Sequence, residues 1–237
     1  HVNNETGVIQ PLKEIGDFIK DTEAFFMCDA TQGFGKYNIH PEAVGIDLMT
    51  FSGHKIHGPK GIGAMYIKSQ YPKIKLTPLI HGGGHERGYR SGTLNVPGIV
   101  GLGSACLHYK KNQNIDLETI TKLRDQFEKE MLAIDGVYVN GIGAKRSPYI
   151  SSIYIEGVNS EALIINIKKE IAIANGSACT STEILPSHVI MAMFNNEKRA
   201  KSTIRVSYSI LNTKEEIDIT IKFITQAIIR IRENALI

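Results

Sequence analysis

No stretch of the sequence approaches the roughly 20 consecutive apolar residues that a bilayer-spanning helix needs. The opening HVNNETG also lacks the charged-then-apolar layout of a secretory signal. A cytoplasmic chain without a membrane partner is the expectation. Basic runs are absent too. The 27 Lys+Arg against 24 Asp+Glu leave a formal charge of +3, spread along the chain, too little for a nucleic-acid footprint, so no direct nucleic-acid partner is expected. Cysteine is scarce: Cys28, Cys106 and Cys179 are widely separated, odd in number and form no C-x-x-C pair. Neither a disulfide framework nor a zinc knuckle is indicated, and any sulfur chemistry must come from a single thiol. An initiator methionine is missing as well, and the first residues read as a turn entering a helix, so an N-terminal truncation is expected.

What is present suits a folded α/β chain. With 237 residues, 42% hydrophobic and 22% charged, it can bury a core in one large or two modest domains. Leu12, Ile15, Phe18 and Ile19 share one helical face, and Pro11 suits the first turn. The runs AFFMCDA and GIDLMTFSG read as buried strands ending in Asp29 and in Ser52–Gly53, GIGAMYIK as a third strand, and LNVPGIVGLGSACLHYKK as a helix. After a short linker at Gln113–Asp116 the pattern changes. A helix over 117–134 is followed by strand-like GVYVNG and PYISSIYIEG, a helix from Ser160, strand-like IAIANG and STIRVSYS, and a closing helix from Lys214. The predicted fold class is α/β: part of a large domain with a mostly parallel sheet over 1–112, then a smaller α+β domain over 113–237.

In open α/β sheets, sites form at the carboxyl ends of strands, where Asp29 and the turn Ser52–Lys55 both fall on this reading. A lysine beside a phosphate-binding turn can hold pyridoxal phosphate covalently, and a carboxylate can keep that cofactor's ring nitrogen protonated. Lys55 and Asp29 supply these groups, and Ser52 and His54 can donate to a phosphate. Taken alone, such an aspartate is more often a turn cap and such a lysine a surface residue. The third element is NGSACTS, which places Cys179 among small residues on a segment unsuited to a core helix or strand. Cys28 in its apolar strand and Cys106 on an apolar helix are expected to be buried and unreactive. His81 and His85 in HGGGHE are four apart, but three glycines oppose the helix that a zinc pair of this spacing needs. The longer HGGGHERGYRSGT is instead expected to bring backbone, Arg87, Arg90 and Thr93 to an anionic group. No metal is expected.

The stretches HVNNETG, CDATQ, SGHKIHGPKG, HGGGHERGYRSGT and NGSACTS, in this order, resemble the cysteine desulfurases of the NifS/IscS class, which are fold-type I pyridoxal-phosphate transferases. The resemblance implies pyridoxal 5′-phosphate as cofactor, L-cysteine as substrate, alanine as product and a homodimeric enzyme. It assigns Lys55 to the covalent cofactor bond, Asp29 to the ring nitrogen, Asn4 and Gln32 to the phenolic oxygen, and Ser52 and His54 to the phosphate. Thr93 is matched to the phosphate of the partner subunit, Arg205 to the substrate carboxylate, and Cys179 to the nucleophile that becomes a persulfide. The SACTS context resembles the long-loop group that passes sulfur to an acceptor protein such as an iron–sulfur scaffold. Thiolation of tRNA and sulfuration of DNA use similar donors. Two departures stand out: the family's earlier phosphate loop and ring-stacking histidine are not in this sequence, and SYSILNTKEE stands where the family has a glycine-arginine turn. The rival readings are another fold-type I enzyme, such as an aminotransferase or selenocysteine lyase, and a non-catalytic sulfur-transfer or scaffold-binding fragment.

Overall fold

A computed structural model describes residues 1–70, 74–176 and 186–234. By internal contacts the chain divides into one unit of His1–Val2 with Gln10–Gln113 and a second of Asn3–Ile9 with Asn114–Ile237.

In the first unit, helix α1 (Leu12–Ile19) starts directly after Pro11. Its packing face differs from the expected one. Leu12, Ile15 and Ile19 join the core with Phe26, Cys28, Ile46 and Met49, whereas Phe18 is 86% exposed. Gly16 lies on the inner face instead, and a Cβ there would stand 1.8 Å from the Val44 carbonyl oxygen. Close backbone approach at glycine thus turns the helix away from Phe18. The short helix α2 (Pro41–Val44) ends at Gly45, whose φ of 83° is the left-handed conformation of a glycine C-terminus.

Strands β1 (Met27–Asp29) and β2 (Leu48–Ser52) pair in parallel, with Met27 opposite Leu48 and Asp29 opposite Thr50. Strand β3 (Gly63–Ile67) then pairs antiparallel to β2, giving the order β1-β2-β3. The sheet within this chain is therefore mixed, with one parallel pair. The cause is the connection over residues 53–62, which is shorter than the roughly dozen residues that a parallel crossover requires.

The expected linker at Gln113–Asp116 is helical: α3 runs unbroken over Val96–Leu132. The stretch QNID contains neither glycine nor proline, so nothing in it stops a helix that neighbouring turns propagate.

The second unit holds an antiparallel sheet of β4 (Val137–Val139), β5 (Ile150–Ile155), β6 (Ala174–Asn175) and β7 (Thr203–Ser207), in the order β4-β5-β7-β6. Helix α4 (Ser160–Ile167) is capped by Asn159, whose Oδ1 accepts from the Glu161 and Ala162 amides. Two short helices, α5 (His188–Phe194) and α6 (Glu197–Lys201), precede β7. Helix α7 (Lys214–Asn234) opens with a reciprocal capping box, in which Glu216 N–H donates to Thr213 Oγ1 and Thr213 N–H to Glu216 Oε2. Ile120, Phe127 and Met131 of α3, Ile153 and Ile204 of the sheet, Leu163 of α4 and Ile224 of α7 belong to one buried cluster.

A charged station lies within this unit. The Arg146 guanidinium donates two bonds of 2.7 Å to the two Glu128 carboxylate oxygens. Ser151 Oγ donates to Glu128 at 2.6 Å, and Tyr208 OH donates to Ser151 at 3.0 Å. Burial pushes the Glu128 carboxyl up. The Arg146 and Ser151 hydrogen bonds and the Arg146 charge together outweigh it, leaving the pKa lowered. Glu128→Ala strands a buried guanidinium and should cost about 3 kcal/mol in urea unfolding at neutral pH. Because the folded pKa is depressed, this contribution is present above the ordinary carboxylate range, near 4.3. It is lost as pH falls through the lower folded value. The gap between wild type and Glu128→Ala should therefore close in acid; a gap independent of pH would contradict the assignment.

Candidate active site

The chain leaves β2 through a single tight turn. Gly53–Ile56 form one 3₁₀ turn, closed by His57 at φ 61° and ψ 16°. Gly58 N–H returns to the Gly53 carbonyl at 2.9 Å, and Gly53 N–H bonds the Ile62 carbonyl at 2.9 Å. Glycine is needed here for space: a Cβ on Gly58 would lie 2.9 Å from the Gly53 oxygen, and one on Gly63 would lie 2.6 Å from the Phe51 oxygen. Ile56 is buried in a cluster with Leu102 and Tyr109. Lys55 thus sits half-buried between a buried glycine two residues before it and a buried isoleucine after it, while His54 is exposed and Ser52 half-buried.

Asp29 ends the neighbouring parallel strand. Its side chain is exposed, its Oδ1 accepts from Thr31 N–H at 2.8 Å, and the next amide, Ala30 N–H, bonds the Thr50 carbonyl at 2.9 Å. Gln32 is half-buried on the turn that follows. Within the first unit, Asp29, Gln32, Ser52, His54 and Lys55 therefore gather at the carboxyl ends of one parallel strand pair. Thr93 is exposed at the end of the irregular segment 81–93, where Arg90 donates to the Gly92 and Thr93 carbonyls and Glu86 and Arg87 adopt positive φ. His81 and His85 are exposed there. Among the described residues no group of three or more metal-ligating side chains converges.

One residue of this region was not read from the sequence. Lys36, on the turn after β1, is only 7% exposed. Burial first, and then the charge of Lys55, push its pKa down to about 8. Its neighbour Gly35, at φ +76°, packs against Ile56, with a Cβ there lying 3.0 Å from Ile56 Cγ2. In GFGKY the only signal is the pair of glycines that permits so close an approach, and a lysine there reads as exposed.

In the second unit, Asn3 Oδ1 accepts from the amides of Glu5 and Thr6 and from Thr6 Oγ1 at 2.9–3.0 Å, fixing the turn that carries Asn4. The half-buried Asn4 presents its carbonyl to Arg205 Nη1 at 3.1 Å. Arg205 Nε is buried without a hydrogen-bond partner among the described residues, which leaves a guanidinium donor for a ligand oxygen. Cys179 lies outside the described residues. Burial raises the thiol pKa of both Cys28 and Cys106. Cys28 is fully buried, as expected, whereas Cys106 is only half-buried.

The lysine turn makes a two-sided stability prediction. Gly58→Ala should destabilise the chain by about 1–3 kcal/mol in urea unfolding, because backbone must shift. Gly103→Ala, on the exposed face of α3 with nothing near its added Cβ, should stabilise it by about 0.5–1 kcal/mol. Effects of the same sign would refute the packing described.

A family model described as aminotransferase class-V matches residues 1–220. The chain is 43% identical over 233 residues to the cysteine desulfurase IscS of Pectobacterium carotovorum, covering 98% of this chain and 57% of that protein. The solved NifS-like protein from Rickettsia africae superposes with a TM-score of 0.87 at 35% identity, over 95% of this chain and 59% of that one. SspA, solved in complex with cysteine, superposes with a TM-score of 0.72 at 35% identity, over 90% of this chain and 58% of that one. The chain thus spans little more than half the length of the relatives it matches.

Proposed function

The chain belongs to the aminotransferase class-V family, and from that membership we propose that it carries the pyridoxal-phosphate site and the sulfur-accepting cysteine of a cysteine desulfurase. The single observation that carries the reading is the placement of Asp29 and of the Lys55 turn at the same end of two paired parallel strands. The donor set fits the cofactor. An exposed carboxylate is accessible to a pyridinium, and a glycine-bounded turn presents a half-buried primary amine. Ser52 and His54 beside that amine can donate to a phosphate.

When bound, pyridoxal phosphate supplies an electron sink for charge developing at the substrate Cα. Lys55 would hold the cofactor and would move the Cα proton of L-cysteine. Asp29 would hold the ring nitrogen in its protonated form by ion pairing. Asn4 and Gln32 would donate to the phenolic oxygen, and Thr93 would serve the phosphate in the second subunit of a homodimer. Arg205, already held by the Asn4 carbonyl, offers its orphaned Nε–H to the substrate carboxylate. The Cys179 thiolate would attack the L-cysteine sulfur, the S–S bond of a persulfide forming as the substrate Cβ–S bond breaks. The electron pair of that bond stays with the carbon skeleton, which is protonated at Cβ and leaves as alanine, and an acceptor protein such as an iron–sulfur scaffold, in the cytoplasm, would then take the outer sulfur.

Borohydride reduction of the cofactor-loaded full gene product, followed by peptide mapping, should place the pyridoxyl group on Lys55; labelling of Lys60 alone would refute the assignment. Asp29→Asn should keep some cofactor but lose most turnover. Cys179→Ser should keep the cofactor's absorbance and lose persulfide. Full cysteine turnover in Cys179→Ser would favour another fold-type I enzyme. Absence of bound cofactor in the full gene product would favour a non-catalytic sulfur-transfer module.

A further inference from the structure

We infer that Glu5 is a positioning residue for Cys179: its buried carboxylate accepts a hydrogen bond from Ser187 and stands where a side chain on Gly176 would lie, and these two residues bracket the stretch that carries the cysteine. The inference rests on the proposed role of Cys179 and adds the group that fixes the described residues on either side of that stretch.

Glu5 is 3% exposed and projects from a turn with little freedom. Its amide and that of Thr6 bond Asn3 Oδ1, and Gly7, at φ +74°, accepts from Ser147 N–H at 2.8 Å. From this base Glu5 Oε2 accepts a 2.5 Å hydrogen bond from Ser187 Oγ. The same Ser187 oxygen accepts from Ile190 N–H at 3.1 Å and so caps α5. The carboxylate therefore holds the first turn of the helix that follows the cysteine stretch.

The other flank is Gly176. A Cβ on this buried residue would lie 2.6 Å from Glu5 Oε2, so a side chain here would displace the carboxylate oxygen. Gly176 directly follows β6, which is paired to β7 through Asn175 and Ile204. One carboxylate oxygen thus meets both flanks, although Glu5 and Ser187 are 182 residues apart in sequence. Burying a carboxylate is costly even when it is hydrogen-bonded, and a well-packed apolar residue often serves stability as well. A hydroxyl–carboxylate bond with fixed direction instead specifies a single position for both flanks.

The test uses cofactor-loaded full gene product with wild-type Glu5, Glu5→Ala, Glu5→Gln and Ser187→Ala. It measures Cys179 alkylation by limiting iodoacetamide, persulfide formation from L-cysteine, and melting temperature. Glu5→Ala and Ser187→Ala should each change the Cys179 alkylation rate by about 3-fold or more and slow persulfide formation about 10-fold, since small misplacement of a reacting group is expensive. The loss should fall on kcat, with KM for L-cysteine little changed. Glu5→Gln should recover most of the rate, because its amide oxygen accepts the same hydroxyl, and the double variant should be no worse than either single. Wild-type alkylation and persulfide formation in Glu5→Ala would overturn the inference, as would losses that merely follow melting temperature equally in the Ala and Gln variants. Should Glu5→Ala not fold, Ser187→Ala against Glu5→Gln makes the same decision. Alkylation needs no turnover, so it reports on Glu5 even if Cys179→Ser retains activity and the sulfur-acceptor role itself fails.

Discussion

The parallel pairing of β1 with β2 is the constraint on which the candidate site depends. Because Asp29 stands opposite Thr50 and Ala30 N–H bonds the Thr50 carbonyl, the two strands end within a few residues of each other on the same edge. A carboxylate leaves one strand there and an amine-bearing turn leaves the other. An antiparallel pair would send these groups to opposite edges. The turn then has to be tight, which explains glycines at 53, 58 and 63 whose missing Cβ atoms are replaced by backbone oxygens or close side chains. Ile56, buried one residue after the lysine, keeps the turn from swinging away from the sheet.

Buried charge is used differently in the two units. Lys36 is buried in the first unit, and its pKa is depressed to about 8 by burial and then by the Lys55 charge. In the second unit Glu128 is neutralised by Arg146 in a bidentate pair and completed by Ser151 and Tyr208. That cluster satisfies its own hydrogen bonds and has the character of structural cement. Glu5 instead accepts from Ser187 Oγ, and Arg205 keeps one buried N–H without a partner among the described residues.

Much of this was legible in the sequence where a single physical signal acted alone. Apolar runs of strand length located β1, β2, β5 and β7, and the strand-end rule singled out Asp29 and Lys55. Reading failed where tertiary packing decided. Phe18 had the periodicity of a core residue, but Gly16 set the approach of α1. The stretch QNID resembled a linker by composition, but held no helix breaker. The strand after the lysine turn is antiparallel because its connection is short, a matter of chain geometry rather than residue type. Lys36 and Glu5 were invisible as buried groups, since nothing local distinguishes a buried lysine or glutamate from an exposed one. Their roles come from partners far away in the sequence.

The most direct test of the account is a crystal structure of the full gene product loaded with pyridoxal phosphate. The strand-end arrangement predicts continuous density from Lys55 Nζ to the cofactor and an Asp29 carboxylate oxygen within about 3 Å of the ring nitrogen. A cofactor bonded to Lys60 or Lys36, or a ring nitrogen facing solvent away from Asp29, would contradict it.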